Sequence, residues 1–158
     1  MLDACLPGKE ERVKLLGVDL GTSRTGLAVS EGAWLAVPAG VIVERDETQL
    51  TRRLADTARD YDATRIVVGY PRNMDGSIGP RAKACAEIAE RLQLLSGIPV
   101  VLWDERRTTI AATDVLNQNN VRGRRRQEVI DTVAAVIILE SYLRFLQSGG
   151  AQASPLEG

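Results

Sequence analysis

The chain has 158 residues, of which 44% are apolar and 26% charged, as is ordinary for one globular domain. It contains no histidine, which excludes Ser-His-Asp and Cys-His nucleophile systems and every histidine-ligated metal site. Its two cysteines, Cys5 and Cys85, are too few for a disulfide framework. Because the net charge is −1, a nucleic-acid partner would need a local basic surface.

The first part of the chain predicts three strands. Residues 1–12 are polar and lack an apolar signal-peptide core, so we expect a flexible N-terminus, a cytoplasmic protein and no association with membranes. Apolar runs with β-branched residues follow at 13–19, 25–30 and about 35–43, separated by turns that contain glycine. This spacing predicts an antiparallel meander.

Two strand–helix units are predicted next. Residues 47–61 repeat apolar positions at helical spacing behind Asp46, which is a typical N-cap residue. A short apolar strand at 65–70 precedes a second amphipathic helix at 81–95, and residues 98–105 supply a fifth strand. Strands that alternate with helices imply parallel crossover connections.

The last third of the chain contains a basic segment and a long helix. Thr108 or Thr109 could cap a short helix, which gives way to a loop rich in asparagine and arginine. The helix predicted over about 127–147 is apolar around most of its circumference, so it must be largely buried. Residues 148–158 form a polar tail that we expect to be disordered.

Together these elements predict the fold class α/β. We expect a three-layer α/β/α domain over residues 13–147, built on a five-stranded mixed sheet with helices on both faces.

Acidic residues come from three separate parts of this predicted domain. Asp19 ends the first strand, Glu105 lies at the end of the fifth, and Asp131 lies in the last helix one turn before Ala135. Ligands gather at the carboxyl ends of parallel strands, and three acids there would repel one another unless a cation neutralised them. Oxygen ligands suit Mg²⁺ or Mn²⁺, so the pattern favours a metal-dependent nuclease.

Each acid also has a structural interpretation. Asp19 could accept hydrogen bonds from amides of the following turn, and Glu105 could pair with Arg106 or Arg107. Asp131 could be a charge in the first turn of the last helix, where the helix dipole would stabilise it.

Two neighbouring acids compete with those chosen here. Asp104 and Glu105 point to opposite faces if the fifth strand continues through them, and the residues alone do not show which of the two faces the metal; the preference for Glu105 comes from the motif match described below. Glu128 lies one turn before Asp131 and is a weaker competitor.

Four motifs in order resemble the YqgF/RuvX family, which is related to Holliday-junction resolvases and has the RNase H-like fold. They read "GVDLGTSRTGLAV", "VVGYPRNMDGS", "DERRTT" and "IDTVAAVIILESYL", and the resemblance covers about residues 14–146. It implies a small nuclease that matures the 5′ end of pre-16S ribosomal RNA or, as the runner-up, resolves Holliday junctions. It also suggests a homodimer with two active sites.

Motif matching assigns roles to individual residues. Asp19, Glu105 and Asp131 look like the catalytic carboxylates that bind Mg²⁺ or Mn²⁺. By the same matching, Arg24, Asn73 and Thr109 look like supporting positions. The local positive charge of the basic segment, rather than the motifs, leads us to expect that Arg122, Arg124, Arg125 and Arg126 contact nucleic acid, with a solvated charge run as the alternative, and Arg106 is added to this set.

The chain departs from the wider RNase H-like pattern in one place. Relatives commonly have their second acid at the end of strand four, where this chain has Gly69 and Tyr70, so the second carboxylate is expected from strand five.

Two other classes of protein remain as alternatives. "GVDLGTS" resembles the first phosphate loop of sugar-kinase and actin-like ATPases, although those proteins need two such domains around the nucleotide. The other alternative is an inactive module that binds nucleic acid.

Overall fold

The computed structural model of the protein describes residues 13–31, 35–73, 75–104 and 123–147, with side chains in the last range described from residue 130 onward. The strands in this part of the chain are β1 (Lys14–Asp19), β2 (Arg24–Glu31), β3 (Ala36–Val43), β4 (Arg65–Tyr70) and β5 (Val100–Asp104). The helices there are α1 (Glu47–Asp60), α2 (Pro80–Ser96) and α3 (Gly123–Gln147).

The five strands form one mixed sheet in the order β3-β2-β1-β4-β5. Strands β1, β2 and β3 pair antiparallel as the predicted meander, and β1, β4 and β5 run parallel. Asp19 at the end of β1 lies opposite Gly26 of β2, while Asp104 at the end of β5 lies opposite Tyr70 of β4. Both acids therefore lie at the edge of the sheet where the parallel strands end, and the predicted sheet is confirmed.

Side chains alternate between two apolar cores, one on each face of the sheet. Leu16 and Val18 of β1 pack in the core beneath α1 and α2, whereas Leu15 packs in the core beneath α3. Cys85 of α2 is a free cysteine that is buried in the first of these cores. The α/β/α layering thus follows from strands that are apolar on both faces.

Helix α3 crosses the sheet at close range. A Cβ added to Gly17 of β1 would lie 3.0 Å from Cβ of Leu139 and 3.1 Å from the carbonyl oxygen of Ala135. Every residue from 130 to 143 is buried or half-buried, which confirms that this helix is largely buried. No helix in the described ranges is long and apolar enough to span a membrane.

The start of α3 corrects one prediction. The helix begins at Gly123 rather than near residue 127, so the backbone of Arg124, Arg125 and Arg126 lies in its first turn and not in a loop. Arginine is a good helix former, and the predicted boundary gave too much weight to the neighbouring glycine. The predicted terminal segments, 1–12 and 148–158, and the short helix after Thr108 or Thr109 fall outside the described residues.

Candidate active site

Asp19 and Asp131 are brought together around one glycine. Asp19 lies opposite Gly26 in the β1–β2 ladder, and a Cβ added to Gly26 would overlap the backbone carbonyl of Asp131 on α3. Alternation along β1 puts Asp19 on the same face as Gly17, which is the face that α3 covers. The carboxyl end of β1 and the third turn of α3 therefore meet at one point.

Asp131 is a buried acid with a specific partner. Only 8% of the residue is exposed, and its Oδ2 accepts a hydrogen bond from Nε of Arg24 at 2.9 Å. Arg24 is the first residue of β2, so the ion pair joins the sheet to α3 beside Asp19. Because Asp131 lies eight residues beyond the start of the helix, the interpretation as a first-turn charge is wrong.

Asp104 lies at the same edge of the sheet but faces away from α3. The residue before it, Trp103, packs in the core beneath α3 and donates a hydrogen bond from Nε1 to Oγ of Ser141 at 3.1 Å. Successive side chains in a strand point to opposite faces, so Asp104 belongs to the face that α1 and α2 cover. Glu105 lies outside the described residues.

Asn73 stabilises the loop between β4 and α2. Its Nδ2 donates to Oγ of Ser77 at 2.9 Å, and its backbone amide donates to the carbonyl of Ser77 at 3.0 Å. The carbonyl of Asn73 accepts from the amide of Gly76 at 2.8 Å. These bonds close the loop at the edge of the sheet where Asp19 lies, and in this geometry the amide of Asn73 has a structural role.

A further arginine lies at the end of β1. Arg81 of α2 donates from a terminal guanidinium nitrogen to the carbonyl of Leu20 at 2.9 Å. It borders a cavity of about 170 Å³ that Gly21, Thr22 and Arg45 also line. Sequence reasoning missed both Arg81 and the contact at Gly26, although an isolated glycine inside a strand often marks the close approach of another backbone.

Some predicted site residues lie outside the described part of the chain or have only their backbone described. Those outside the described residues are Glu105, Arg106, Thr109 and Arg122. For Arg124, Arg125, Arg126 and Glu128, only the backbone in α3 is described. Within the described ranges, no group of three acidic, histidine or cysteine side chains is placed to hold a metal ion.

The sheet order and the acidic edge define the class of the domain as RNase H-like. RuvC from T. thermophilus in complex with a Holliday-junction substrate superposes with a TM-score of 0.59 at 12% identity, covering 90% of this chain and 99% of that one. The yeast mitochondrial Holliday-junction resolvase Ydc2 gives a TM-score of 0.54 at 14% identity, covering 86% and 80% of the two chains. At such low identity these likenesses confirm the predicted fold.

Sequence comparison identifies the family. The family model "RuvX: Holliday junction resolvase" matches residues 13–145, so the chain belongs to the RuvX family. A protein of Lachnospira eligens named "Putative pre-16S rRNA nuclease" is 43% identical over 85% of this chain and 99% of its own length. A Geobacillus protein of the same name is 44% identical over 83% and 97%. These matches confirm the predicted family of phosphodiester-cleaving enzymes.

Proposed function

We propose that this protein is a metal-dependent endonuclease that cleaves structured RNA at the 5′ end of pre-16S ribosomal RNA, in the cytoplasm. The observation that carries the proposal is the convergence of Asp19 and Asp131 at the carboxyl edge of the sheet, with Gly26 between the two backbones. The RNA substrate is taken from the names of relatives that are 40–44% identical over most of the chain.

The donor atoms at this edge fit a hard divalent cation. Asp19 and Asp131 contribute carboxylate oxygens from two different elements, and Asp131 is almost fully buried. Mg²⁺ and Mn²⁺ prefer oxygen ligands, and a buried acid at such a site requires positive charge nearby. Bound there, either ion would activate a water molecule and stabilise the leaving oxygen of the phosphodiester.

Glu105 is the third acid that we propose for this site. Trp103 faces α3, so an extended chain that continues past Asp104 would direct residue 105 to the face of Asp19 and Asp131. The same alternation argues against Asp104, whose side chain belongs to the opposite face. Strand β4 offers no acid there, since it ends with Gly69 and Tyr70.

Positive charge beside the site would hold the substrate backbone. Arg124, Arg125 and Arg126 fall in the first turn of the helix that carries Asp131, where the helix dipole also favours a phosphate. Guanidinium groups bind phosphate in a bidentate manner without reading the base sequence. Arg106, Thr109 and Arg122 are proposed to extend this contact, together with Arg24 and Asn73.

Holliday-junction resolution is the second candidate function. The description of the matching family and the fold shared with RuvC favour it. A symmetric junction needs two cuts, so this function predicts a homodimer with paired active sites. Light scattering at micromolar concentration tests this, and a monomer would favour the RNA substrate.

A cleavage assay with two substrates tests the proposal. The full-length protein is incubated with a duplex RNA that contains the 5′ end of pre-16S rRNA, and in parallel with a four-way DNA junction, in Mg²⁺, Mn²⁺ or EDTA. We expect the RNA to be cut at a defined position with either metal and not in EDTA. Cleavage of the junction alone would favour the second candidate, and cleavage of neither substrate would contradict both.

A further inference from the structure

The ion pair between Arg24 and Asp131 lies within the carboxylate site rather than beside it. Nε of Arg24 is 2.9 Å from Oδ2 of Asp131, which is one of the two oxygens that this carboxylate can offer to a metal ion. The side chain of Asp131 is 11% exposed and that of Arg24 is 27% exposed. The guanidinium therefore supplies positive charge to a buried acid that faces the same edge as Asp19.

The two partners differ in their freedom to move. The backbone of Asp131 is packed against Gly26, where not even a methyl group could be inserted, so this backbone cannot withdraw without moving α3, and only a short side chain connects it to the carboxylate. Arg24 has a long side chain, and its greater exposure gives the guanidinium a path to solvent. If one partner leaves the pair, it is the arginine.

We propose that Arg24 is an exchangeable counter-cation for Asp131. Its guanidinium neutralises the carboxylate when no divalent cation is bound, and it gives up Oδ2 when the cation enters. The inference rests on the proposed metal-dependent function, because it assumes that Asp131 is a metal ligand. Once displaced, the guanidinium lies beside the site with its charge intact and can meet a substrate phosphate.

Competition of this kind has a thermodynamic signature. A metal ion that must displace Arg24 binds more weakly than it would at the same carboxylates without the arginine. Conversely, we expect the metal-free protein to lose stability when Arg24 is removed, because the buried acid then loses the counter-charge of this guanidinium. An arginine that only supported the site would give the opposite effect on affinity, since its loss would weaken metal binding.

Titration with Mn²⁺ separates these possibilities. Calorimetry on the full-length protein compares the wild type with Arg24→Gln, Arg24→Lys and Asp131→Asn. We expect Arg24→Gln to bind Mn²⁺ roughly tenfold more tightly than the wild type. The Mn²⁺ affinity of Arg24→Lys should lie between those of Arg24→Gln and the wild type, and Asp131→Asn should lose most of its Mn²⁺ binding. In EDTA, Arg24→Gln should melt about 3–6 °C below the wild type. Added Mn²⁺ should raise the melting temperature of this variant more than that of the wild type.

Arg65→Gln is the matched control. Arg65 begins β4 and donates to the hydroxyl of Tyr142 at 2.6 Å, which lies roughly 16 Å along α3 from Asp131. This variant removes the same charge from the same sheet, so its Mn²⁺ affinity should equal that of the wild type. If Arg65→Gln also bound Mn²⁺ more tightly than the wild type, the effect would come from net charge, and the proposal would be overturned.

The remaining outcomes distinguish the inference from the proposed function. Equal or weaker Mn²⁺ binding in Arg24→Gln, with binding lost in Asp131→Asn, would overturn the exchange but leave the metal site intact. Wild-type affinity in Asp131→Asn, or no Mn²⁺ binding by any variant, would overturn the metal site and the exchange together.

Discussion

Gly26 of β2 leaves no room for a side chain beneath the backbone carbonyl of Asp131 on α3. The same glycine lies opposite Asp19 in the sheet, so a single position sets the spacing between the strand end and the helix. The separation of the two carboxylates therefore depends on a residue that carries no functional group.

Replacement of Gly26 by alanine should damage both stability and activity. The new methyl group would overlap the carbonyl of Asp131, so α3 would have to shift away from β2. Forced insertion of a methyl group into a packed contact typically costs 1–3 kcal/mol, and we expect about 3 kcal/mol here. Chemical denaturation measures the loss, and cleavage should fall further than the unfolded fraction explains.

Gly79→Ala is the matched control for that experiment. A Cβ at Gly79 would meet the amide atoms of Asn73 at 3.6 and 3.7 Å, which is ordinary contact. We expect a change within about 1 kcal/mol, the cost of changing an N-cap glycine to alanine. If Gly26→Ala and Gly79→Ala changed the stability equally, the contact between Gly26 and Asp131 would not explain the loss.

The variants Asp19→Asn and Asp131→Asn should lose cleavage and keep binding. Each removes one negative charge from the proposed metal site, so we expect the rate to fall at least about 100-fold. Substrate affinity should persist, because arginines rather than acids contact phosphate. Gel-based cleavage and binding assays on the same protein samples measure both quantities, and a variant that cuts at the wild-type rate would exclude its aspartate from the site.

Glu105→Gln and Asp104→Asn should have different effects. If residue 105 shares a face with Asp19, its substitution inactivates the enzyme, whereas Asp104→Asn retains activity because that side chain belongs to the other face. Single-turnover cleavage rates of the two variants decide between the acids. The reverse result would mean that the chain leaves the strand geometry directly after Trp103.

Replacement of Arg124, Arg125 and Arg126 by alanine should weaken binding to all sequences alike. We expect the slope of log affinity against log salt to flatten by up to ~0.9 for each duplex phosphate contact that is lost. Fluorescence anisotropy on a duplex substrate at several salt concentrations measures this slope.

A control variant replaces three other arginines with alanine, so that the net charge changes by the same amount at a different place. Arg52, Arg53 and Arg59 are exposed on α1, across the sheet from α3, and their replacement should leave the slope nearly unchanged. If both triple variants flatten the slope equally, the arginines at the start of α3 act only through net charge.

Most of the fold could be predicted because each element has its own local signal. The meander follows from β-branched runs between glycine turns, and α1 and α2 follow from apolar residues at helical spacing. The start of α3 could not be placed, since its first turn is composed of glycine and arginine, which also suit a loop.

Only part of the candidate site could be predicted from the sequence. Asp19 and Asp131 could be selected as acids in apolar surroundings, but the partner of Asp131 could not. Arg24 is 107 positions away in the chain, and only the close packing of α3 on β2 brings the two together. Long-range pairs of this kind depend on tertiary structure and leave no periodic pattern in the sequence.

The position of α3 in the chain also determines when the carboxylate pair can exist. Asp19 ends the first strand, whereas Asp131 belongs to the last helix, which packs on a sheet made from all five earlier strands. Synthesis from the N-terminus therefore produces every strand before it produces the second acid. Any chain that stops before α3 lacks the second acid, so the carboxylate pair can form only after the residues of this helix have been synthesised.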